Sequence, residues 1–158
     1  MSLVFSIILL DQITKLLIRS NFNLYEQINI VKGFLKIIYV RNSGVIWGLF
    51  QNTQSKIVPI AITILSISAL LTIIYIFFKT SLSCKLELLS LSFIMGGAVG
   101  NILDRFFLGY VVDFIEVYIK TYHWPTFNVA DSFISIGIIL LLISIFRNKC
   151  ATLNSKET

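Results

Sequence analysis

Charged residues are scarce in this sequence of 158 residues: only 13% are charged, whereas 56% are hydrophobic. Soluble domains have about 25% charged and about 45–50% apolar residues. A soluble protein of this size has too little interior to bury so much apolar surface. Two cysteines are too few for a disulfide-rich scaffold, and the high hydrophobicity excludes a disordered chain. The composition therefore predicts a small multi-pass membrane protein.

Other missing features exclude several kinds of chemistry. The single histidine, His123, excludes a multi-histidine zinc site and leaves a histidine-based catalytic triad with one candidate. Glycine-rich phosphate-binding loops are absent from the sequence. The formal net charge is +5, but the basic residues are dispersed among apolar runs, so we expect no nucleic-acid binding. A dyad of Ser43 with a lysine stays open on residue counts alone.

Four apolar stretches are long enough for transmembrane helices, which need about 20 residues each. They are residues 3–19, 57–78, 86–103 and 130–146. The basic segments around residues 79–85 and after residue 147 are on the same side, and the positive-inside rule then predicts that both termini are cytoplasmic. We expect one domain, 1–158, with outer segments 20–56 and 104–129 and a cytoplasmic tail, 147–158.

The two outer segments have the composition of β-strands. Residues 28–50 and 110–122 are rich in β-branched and aromatic side chains, with a turn at Gly33 in the first segment. We therefore expect a small sheet on the outer face of the membrane. Trp47 and Trp124 would anchor this face at the membrane interface.

Ionisable residues inside or beside the spans are expected to have a structural or functional role, because a charge at the bilayer centre costs roughly 2.5–3.5 kcal/mol. Asp11 and Lys15 are spaced i, i+4, which predicts a structural ion pair. Asn101, Asp104 and Arg105 share one helix face. They predict either a structural clamp of Asp104 on Arg105 or on backbone donors, or a binding role for Asn101 and Arg105.

Two further acids lie near the outer edge of the spans. Asp113 is in a strand-like segment and Asp131 opens the fourth span, where Asn128 is an equally good N-cap. Two acids in close contact can activate a water molecule, since like charges keep one of them protonated. The sequence alone does not show that these two residues meet.

A different class of function also uses acids in spans. In a small proton- or cation-coupled transporter or channel subunit, Asp11, Asp104 and Asp131 would line the path. Such a path needs acids at several depths, whereas only Asp11 is expected near the middle of the membrane. A non-catalytic assembly protein is a third possibility, but it has no need of two acids outside the membrane. The clustering of acids at one predicted surface favours a surface site.

Five motifs together resemble the lipoprotein signal peptidase family, signal peptidase II. The motifs are Asp11-Gln-Ile-Thr-Lys15, Asn42-Ser-Gly-Val-Ile-Trp-Gly48, Gly96-Gly-Ala-Val-Gly-Asn-Ile-Leu-Asp-Arg105, Val111-Val-Asp-Phe114 and Phe127-Asn-Val-Ala-Asp131. Their order and spacing match the family, and the resemblance covers the chain up to Arg147.

The resemblance implies an all-α membrane fold, with four transmembrane helices and a small extracytoplasmic β-sheet, the β-cradle, followed by a short lid-like helix. It implies an aspartic endopeptidase of the bacterial cytoplasmic membrane with its site near the outer leaflet. Its substrate and partner would be a diacylglyceryl-modified prolipoprotein, cleaved just before the lipidated cysteine. We further expect contact with membrane lipid, no metal or organic cofactor, a monomer, and sensitivity to the family's inhibitor, globomycin.

The resemblance also assigns roles by motif position. Asp113 and Asp131 correspond to the catalytic pair, and Asp11 and Lys15 to a structural pair. The residues expected to line the site and hold the substrate main chain are Asn42, Asn101, Arg105 and Asn128. Asp104 is the rival of Asp113 for the pair. We favour Asp113, because pairing of Asp104 with the adjacent Arg105 would lower its pKa and suit a structural role.

Overall fold

The computed structural model describes residues 2–44 and 57–147. The helices are α1 (Ser2–Asn21), α2 (Ile57–Lys79), α3 (Lys85–Leu108) and α4 (Val129–Phe146), and the strands are β1 (Gln27–Val31), β2 (Leu35–Asn42), β3 (Val111–Ile119) and β4 (Tyr122–His123). Each helix covers one of the predicted apolar stretches. The predicted Trp47 anchor, the lid-like helix after residue 44 and the tail beyond Arg147 lie outside the described residues.

Three of the described helices, α2, α3 and α4, are long and apolar enough to cross a membrane. The chain is therefore a multi-pass membrane protein. Helix α1 has three charged residues, Asp11, Lys15 and Arg19, and its crossing stays a prediction. Helix α2 buries none of its residues in the protein, so its apolar surface is left for lipid.

Helix α3 is the centre of the bundle and packs against α1, α2 and α4. Small residues allow these close approaches. A Cβ atom on Gly97 would collide with the backbone carbonyl of Ala130 on α4. A Cβ atom on Gly100 would lie 2.5 Å from Oδ2 of Asp11 on α1. The glycines of α3 therefore bring the first turn of α4 and the middle of α1 against the same helix.

The strands form one antiparallel sheet in the order β1-β2-β3-β4. Strands β1 and β2 follow α1, and β3 and β4 join α3 to α4, so the sheet lies at one end of the bundle. This confirms the predicted small sheet, and Gly33 makes the turn between β1 and β2 with a φ of 81°. Trp124, predicted to anchor at the interface, is 70% exposed.

A small apolar core joins the sheet to the helices. Ile18 near the end of α1 packs with Tyr39 of β2 and with Val112 and Phe114 of β3. Helix α3 ends at Gly109, whose φ of 79° is left-handed and whose N–H donates to the carbonyl of Arg105. Glycine adopts this conformation without steric cost, and the chain turns there directly into β3. The start of β3 is thereby fixed above the ends of α1 and α3.

Candidate active site

Helix α4 begins against strand β3, because the residue before its N-cap pairs with that strand. The Phe127 N–H donates to the carbonyl of Ile115 over 3.0 Å, and the Phe127 carbonyl accepts from the N–H groups of Phe114 and Ile115 over 3.0 and 2.8 Å. Asp113 precedes these strand residues, and Asp131 lies in the first turn of α4. The pairing therefore brings the segments that carry the two aspartates together.

Asn128 connects the two aspartates. It is the N-cap of α4, where its Oδ1 accepts the N–H of Asp131 over 2.9 Å. Its Nδ2 donates to Oδ1 of Asp113 over 2.7 Å. The N–H of Asn128 donates to Oδ2 of Asp131 over 3.2 Å, which completes a capping box. Both cap candidates of the sequence thus take part in the cap, and the fully buried Asn128 contacts both acids.

The other oxygen of Asp131 is bound by helix α3. Asn101 Nδ2 donates to Oδ1 of Asp131 over 2.8 Å. The carbonyl oxygen of the Asn101 side chain accepts from Lys15 Nζ over 2.9 Å and from Asn128 Nδ2 over 3.1 Å. An amide whose oxygen receives two donors must direct its NH₂ group the other way. Lys15 and Asn128 therefore fix the orientation in which Asn101 donates to Asp131.

Lys15 is the buried cation of the site, with 2% of its side chain exposed. Its Nζ contacts Asp11 Oδ2 at 2.9 Å, Asp104 Oδ2 at 3.1 Å and Asn101 Oδ1 at 2.9 Å. These three partners use the three donors of an ammonium group. The ion pair expected between Asp11 and Lys15 is present, and a second carboxylate shares the same cation.

The expected pairing of Asp104 with Arg105 is wrong. The cation that Asp104 contacts is Lys15, and its Oδ2 also accepts the N–H of Val112 over 2.9 Å. Adjacent side chains on a helix do not face each other, and among the described residues Asp104 and Arg105 form no ion pair shorter than 4 Å. The sequence analysis gave a backbone donor as the alternative partner of Asp104, and this alternative is therefore correct. Asp104 is bound within the protein by Lys15 and by the backbone of β3.

Gln12 is a site residue that the sequence analysis missed. Its Nε2 lies 3.1 Å from Asp11 Oδ2, 3.2 Å from Asp104 Oδ1 and 3.2 Å from the carbonyl of Gly100. One amide thus connects the two acids that share Lys15 to the backbone of α3. The available signal was a polar side chain next to Asp11 in an otherwise apolar stretch.

Asp113 has a strongly perturbed environment. Burial, which leaves 1% of the residue exposed, raises its pKa to about 7, and the charge of Asp131 acts in the same direction. Hydrogen bonds from Asn42 and Asn128 oppose the increase in pKa. Asn42 Nδ2 lies 2.8 Å from Asp113 Oδ2, and Asn42 Oδ1 accepts the N–H of Gly44 over 2.8 Å. Asp113 can therefore hold a proton near neutral pH, as a general acid requires.

Arg105 is half-buried beside the aspartates. Its guanidinium interacts electrostatically with Asp131, Asp113 and, least strongly, Asp104, and its Nη1 donates to the backbone carbonyl of Asn101 over 3.4 Å. Within the described residues, Arg105 is in no ion pair shorter than 4 Å. It can offer further N–H donors to a bound main chain or to a developing negative charge.

The predicted site residues thus lie together at the sheet end of the bundle. The asparagines assigned to the substrate by resemblance, Asn42, Asn101 and Asn128, bind the aspartates in this structure. A substrate contact for them, and for Arg105, stays a prediction. Lys15 is bound to carboxylates, so a dyad of that lysine with Ser43 is not formed. Among the described residues, no group of His, Cys, Asp and Glu has the arrangement of a metal site.

Asp11 is hydrogen-bonded to the first turn of α4. Its Oδ1 accepts the N–H of Ala130, in the first turn of α4, over 2.9 Å. Asp11 therefore lies at the level of Asp131 along the bundle. Asp11, Asp104 and Asp131 form one network at one end of the bundle, whereas a transport path needs acids at several depths.

Comparisons with known proteins extend over nearly the whole chain. A family model described as signal peptidase (SPase) II matches residues 3–147. A lipoprotein signal peptidase of Geobacter metallireducens is 41% identical over 143 residues, which are 90% of this chain and 86% of the relative. A lipoprotein signal peptidase of Wigglesworthia glossinidia brevipalpis is 43% identical over 142 residues, which are 89% of each.

The fold is also found among solved structures. One described as a bacterial membrane enzyme, determined by the in meso method at 1.9 Å resolution, has a TM-score of 0.81 and 31% sequence identity, covering 93% of this chain and 92% of that chain. Another with the same description, at 2.3 Å, has a TM-score of 0.77 and 30% identity, covering 99% and 92%. The similarity therefore includes both the helix bundle and the sheet.

Proposed function

The chain belongs to the signal peptidase II family of aspartic-type peptidases, and from this we propose how its site works. We infer that it removes the signal peptide from a diacylglyceryl-modified prolipoprotein by cleaving just before the lipidated cysteine. The observation that carries the mechanism is the connection of Asp113 and Asp131 through Asn128, with hydrogen bonds of 2.7 Å to one acid and 2.9 Å from the backbone of the other.

The two aspartates divide the acid and base roles. Asp131 accepts N–H groups at both oxygens and faces the Arg105 guanidinium, contacts that stabilise a carboxylate and suit a general base. Asp113, whose pKa is about 7 because of burial, supplies the proton. This is the arrangement in which two neighbouring acids occupy different protonation states.

Hydrolysis then proceeds in two proton-coupled steps. Asp131 takes a proton from water as the water oxygen attacks the scissile carbonyl carbon, and Asp113 gives its proton to the carbonyl oxygen. The tetrahedral intermediate collapses as the C–N bond breaks. The leaving amine, which belongs to the lipidated cysteine, receives the proton held by Asp131. A hydroxyl proton of the intermediate returns to Asp113, which restores both acids.

The site has an orientation in the membrane under this proposal. All four helices cross the bilayer, and the basic residues Lys79, Lys85 and Arg147 lie at the end opposite the sheet, which supports a cytoplasmic location for that end and for both termini. The sheet and the two aspartates are then at the outer leaflet. A substrate anchored by its diacylglyceryl group reaches them by lateral diffusion.

The proposal is tested by cleavage of a purified precursor in detergent, with and without the diacylglyceryl group on its cysteine. We expect cleavage before the lipidated cysteine, inhibition by globomycin, no effect of EDTA, and loss of cleavage when the lipid is absent. Equal rates for lipidated and unmodified precursor would contradict lipid-guided recognition. Loss of activity in EDTA that zinc restores would contradict hydrolysis by two aspartates alone.

A further inference from the structure

Two arginines flank the junction of α1 with the sheet: Arg19 lies in the last turn of α1, and Arg41 lies on β2, on the strand face opposite Asn42. Arg41 Nε donates to the hydroxyl of Tyr39 over 3.1 Å, and its guanidinium lies 5.0 Å from the ring centroid of Tyr110. The charges of both Arg19 and Arg41 act on the hydroxyls of Tyr39 and Tyr110. One exposed guanidinium, that of Arg41, therefore contacts a pair of tyrosine hydroxyls that lie 3.5 Å apart, and the charge of a second, that of Arg19, acts on the same pair.

These two positive charges have no carboxylate partner in the described chain. Its ion pairs shorter than 4 Å join Lys15, Lys36 or His123 to acids, and neither Arg19 nor Arg41 takes part in one. The acid nearest to this junction in sequence, Glu26, is occupied by hydrogen bonds from Asn23. Since like charges repel, two guanidiniums whose charges act on the same tyrosine hydroxyls, with no acid paired to either among the described residues, favour an external anion.

The tyrosines respond to this positive field. Burial favours the neutral form of Tyr39, but hydrogen bonds from Tyr110 and Arg41, together with the charges of Arg41 and Arg19, lower its pKa below the ordinary value. The pKa of Tyr110 is raised by burial and by its contact with Tyr39. The Tyr110 hydroxyl donates to Tyr39, and the O–H of Tyr39 is the one available to an anion beside Arg41.

A groove continues from Arg19 along the bundle. It lies between α1 and α3 and has a volume of about 220 Å³. Its apolar walls are Leu16, Leu103, Phe107 and Leu108. The rest of the lining is polar and consists of Arg19 with Gln12, Lys15 and Asp104 of the buried network. Phe107 is 72% exposed beside it. A molecule bound at the arginines could therefore extend an apolar chain along a groove on the outside of the bundle.

We propose that Arg19, Arg41 and Tyr39 bind the phosphate of a membrane phospholipid, whose acyl chain lies in the groove between α1 and α3, and that Tyr110 holds the Tyr39 hydroxyl in place. Arginine guanidiniums bind phosphate oxygens in a bidentate manner, and anionic lipids attract cations at the bilayer surface. The groove ends at the sheet end of the bundle, where helices of a membrane protein meet headgroups. The diacylglyceryl group of the substrate under the proposed function has no phosphate, so it does not account for two unpaired arginines.

The test measures lipid binding by the full-length protein in detergent with native mass spectrometry. Phosphatidylglycerol, diacylglycerol with the same acyl chains, and water-soluble glycerol phosphate are titrated separately. We expect the wild-type protein to bind phosphatidylglycerol more tightly than either other compound. Binding of glycerol phosphate with equal affinity would show a free-phosphate site and overturn the lipid proposal. Equal binding of diacylglycerol would overturn the role of the phosphate.

Variants identify the groups involved. Arg19→Gln with Arg41→Gln should weaken phosphatidylglycerol binding about tenfold or more and leave diacylglycerol binding unchanged. The matched control, Lys32→Gln with Lys120→Gln, removes two exposed lysines from the turns after β1 and β3 and should change binding less than twofold. Unchanged affinity in the arginine variant, or an equal loss in the lysine control, would contradict the proposal.

A second set of variants tests Arg19 alone and the groove. These tests do not require the double arginine variant to fold. Arg19→Gln alone changes an exposed residue at the end of α1, where no loss of folding is expected, and should weaken phosphatidylglycerol binding severalfold. Leu103→Trp fills the groove and should weaken phosphatidylglycerol binding while leaving glycerol phosphate binding as it was. Full phosphatidylglycerol affinity in Leu103→Trp would place the lipid elsewhere.

Discussion

The side-chain amide of Asn128 donates to Oδ1 of Asp113 over 2.7 Å, so the residue that caps α4 also holds a carboxyl group of β3. The same side chain accepts the N–H of Asp131. The relative position of the two acids is therefore set by one buried residue, which is itself bound to Asn101. Catalytic groups are most effective when their supports are rigid and fully hydrogen-bonded, and this network has that property.

The raised pKa of Asp113 leads to a prediction for the pH dependence of cleavage. Asp113 is protonated below its pKa of about 7 and loses its proton above it, so the rate should fall as the pH rises through this range. The hydrogen bond from Asn42 stabilises the carboxylate form of Asp113. Asn42→Ala should therefore raise the pKa and move the alkaline limb of the kcat profile to higher pH.

The control for this shift is Asn29→Ala, which removes an asparagine of β1 that contacts Tyr118 and leaves Asp113 untouched. Its alkaline limb should coincide with that of the wild-type enzyme. A limb that stays in place or moves to lower pH in Asn42→Ala would show that Asp113 is not the group that must be protonated.

Lys15 should be essential for stability. Lys15→Met leaves Asp11 and Asp104 buried without the cation that both contact. Removing one partner of a buried ion pair costs about 3–5 kcal/mol, since an uncompensated buried charge remains. We expect a large decrease in the free energy of unfolding in detergent, measured with a chemical denaturant. Lys32→Met, at an exposed lysine, should stay within about 0.5 kcal/mol, and a similarly small effect at Lys15 would contradict the proposed network.

Replacing Gly97 with a larger residue should lower both the stability of the protein and its activity. In Gly97→Val, the added side chain meets the carbonyl of Ala130 and Cγ1 of Ile134, which forces α3 and α4 apart. Overpacking of this kind costs about 1–3 kcal/mol. Because Asp131 follows Ala130, the shift also displaces the proposed base, so kcat should fall even where the protein stays folded. Ala69→Val, on an exposed face of α2, should change neither thermal unfolding nor cleavage; wild-type kcat in folded Gly97→Val would refute the coupling.

Local sequence properties predicted the elements but not all of their contacts. Hydrophobic runs identified the helices and β-branched composition identified the strands, because both depend on neighbouring residues. The partner of Asp104 was assigned to Arg105 because the two are adjacent, whereas the actual partner, Lys15, is on another helix. Such a contact depends on how α1 packs on α3, which single-sequence periodicity does not determine.

For the same reason, the sequence did not predict that the segments carrying Asp113 and Asp131 meet. It depends on the backbone pairing of Phe127 with Ile115, which has no side-chain signature. The asparagines were recognised as polar site residues by resemblance. Their contacts with Asp113 and Asp131 depend on the orientation of each amide, and neighbours in space fix that orientation. Lys15 does so for Asn101.

The most direct test of the account is the cleavage rate of a diacylglyceryl-modified precursor by Asp113→Asn and by Asp131→Asn. General acid and base catalysis contribute about 10²–10⁴-fold each, so each variant should lose at least about a hundredfold in kcat while its thermal unfolding still shows a folded protein. Glu116→Gln, three residues along β3 from Asp113 and bound to Lys36, should keep cleavage near the wild-type rate. Wild-type turnover in either folded aspartate variant would contradict the two-aspartate mechanism.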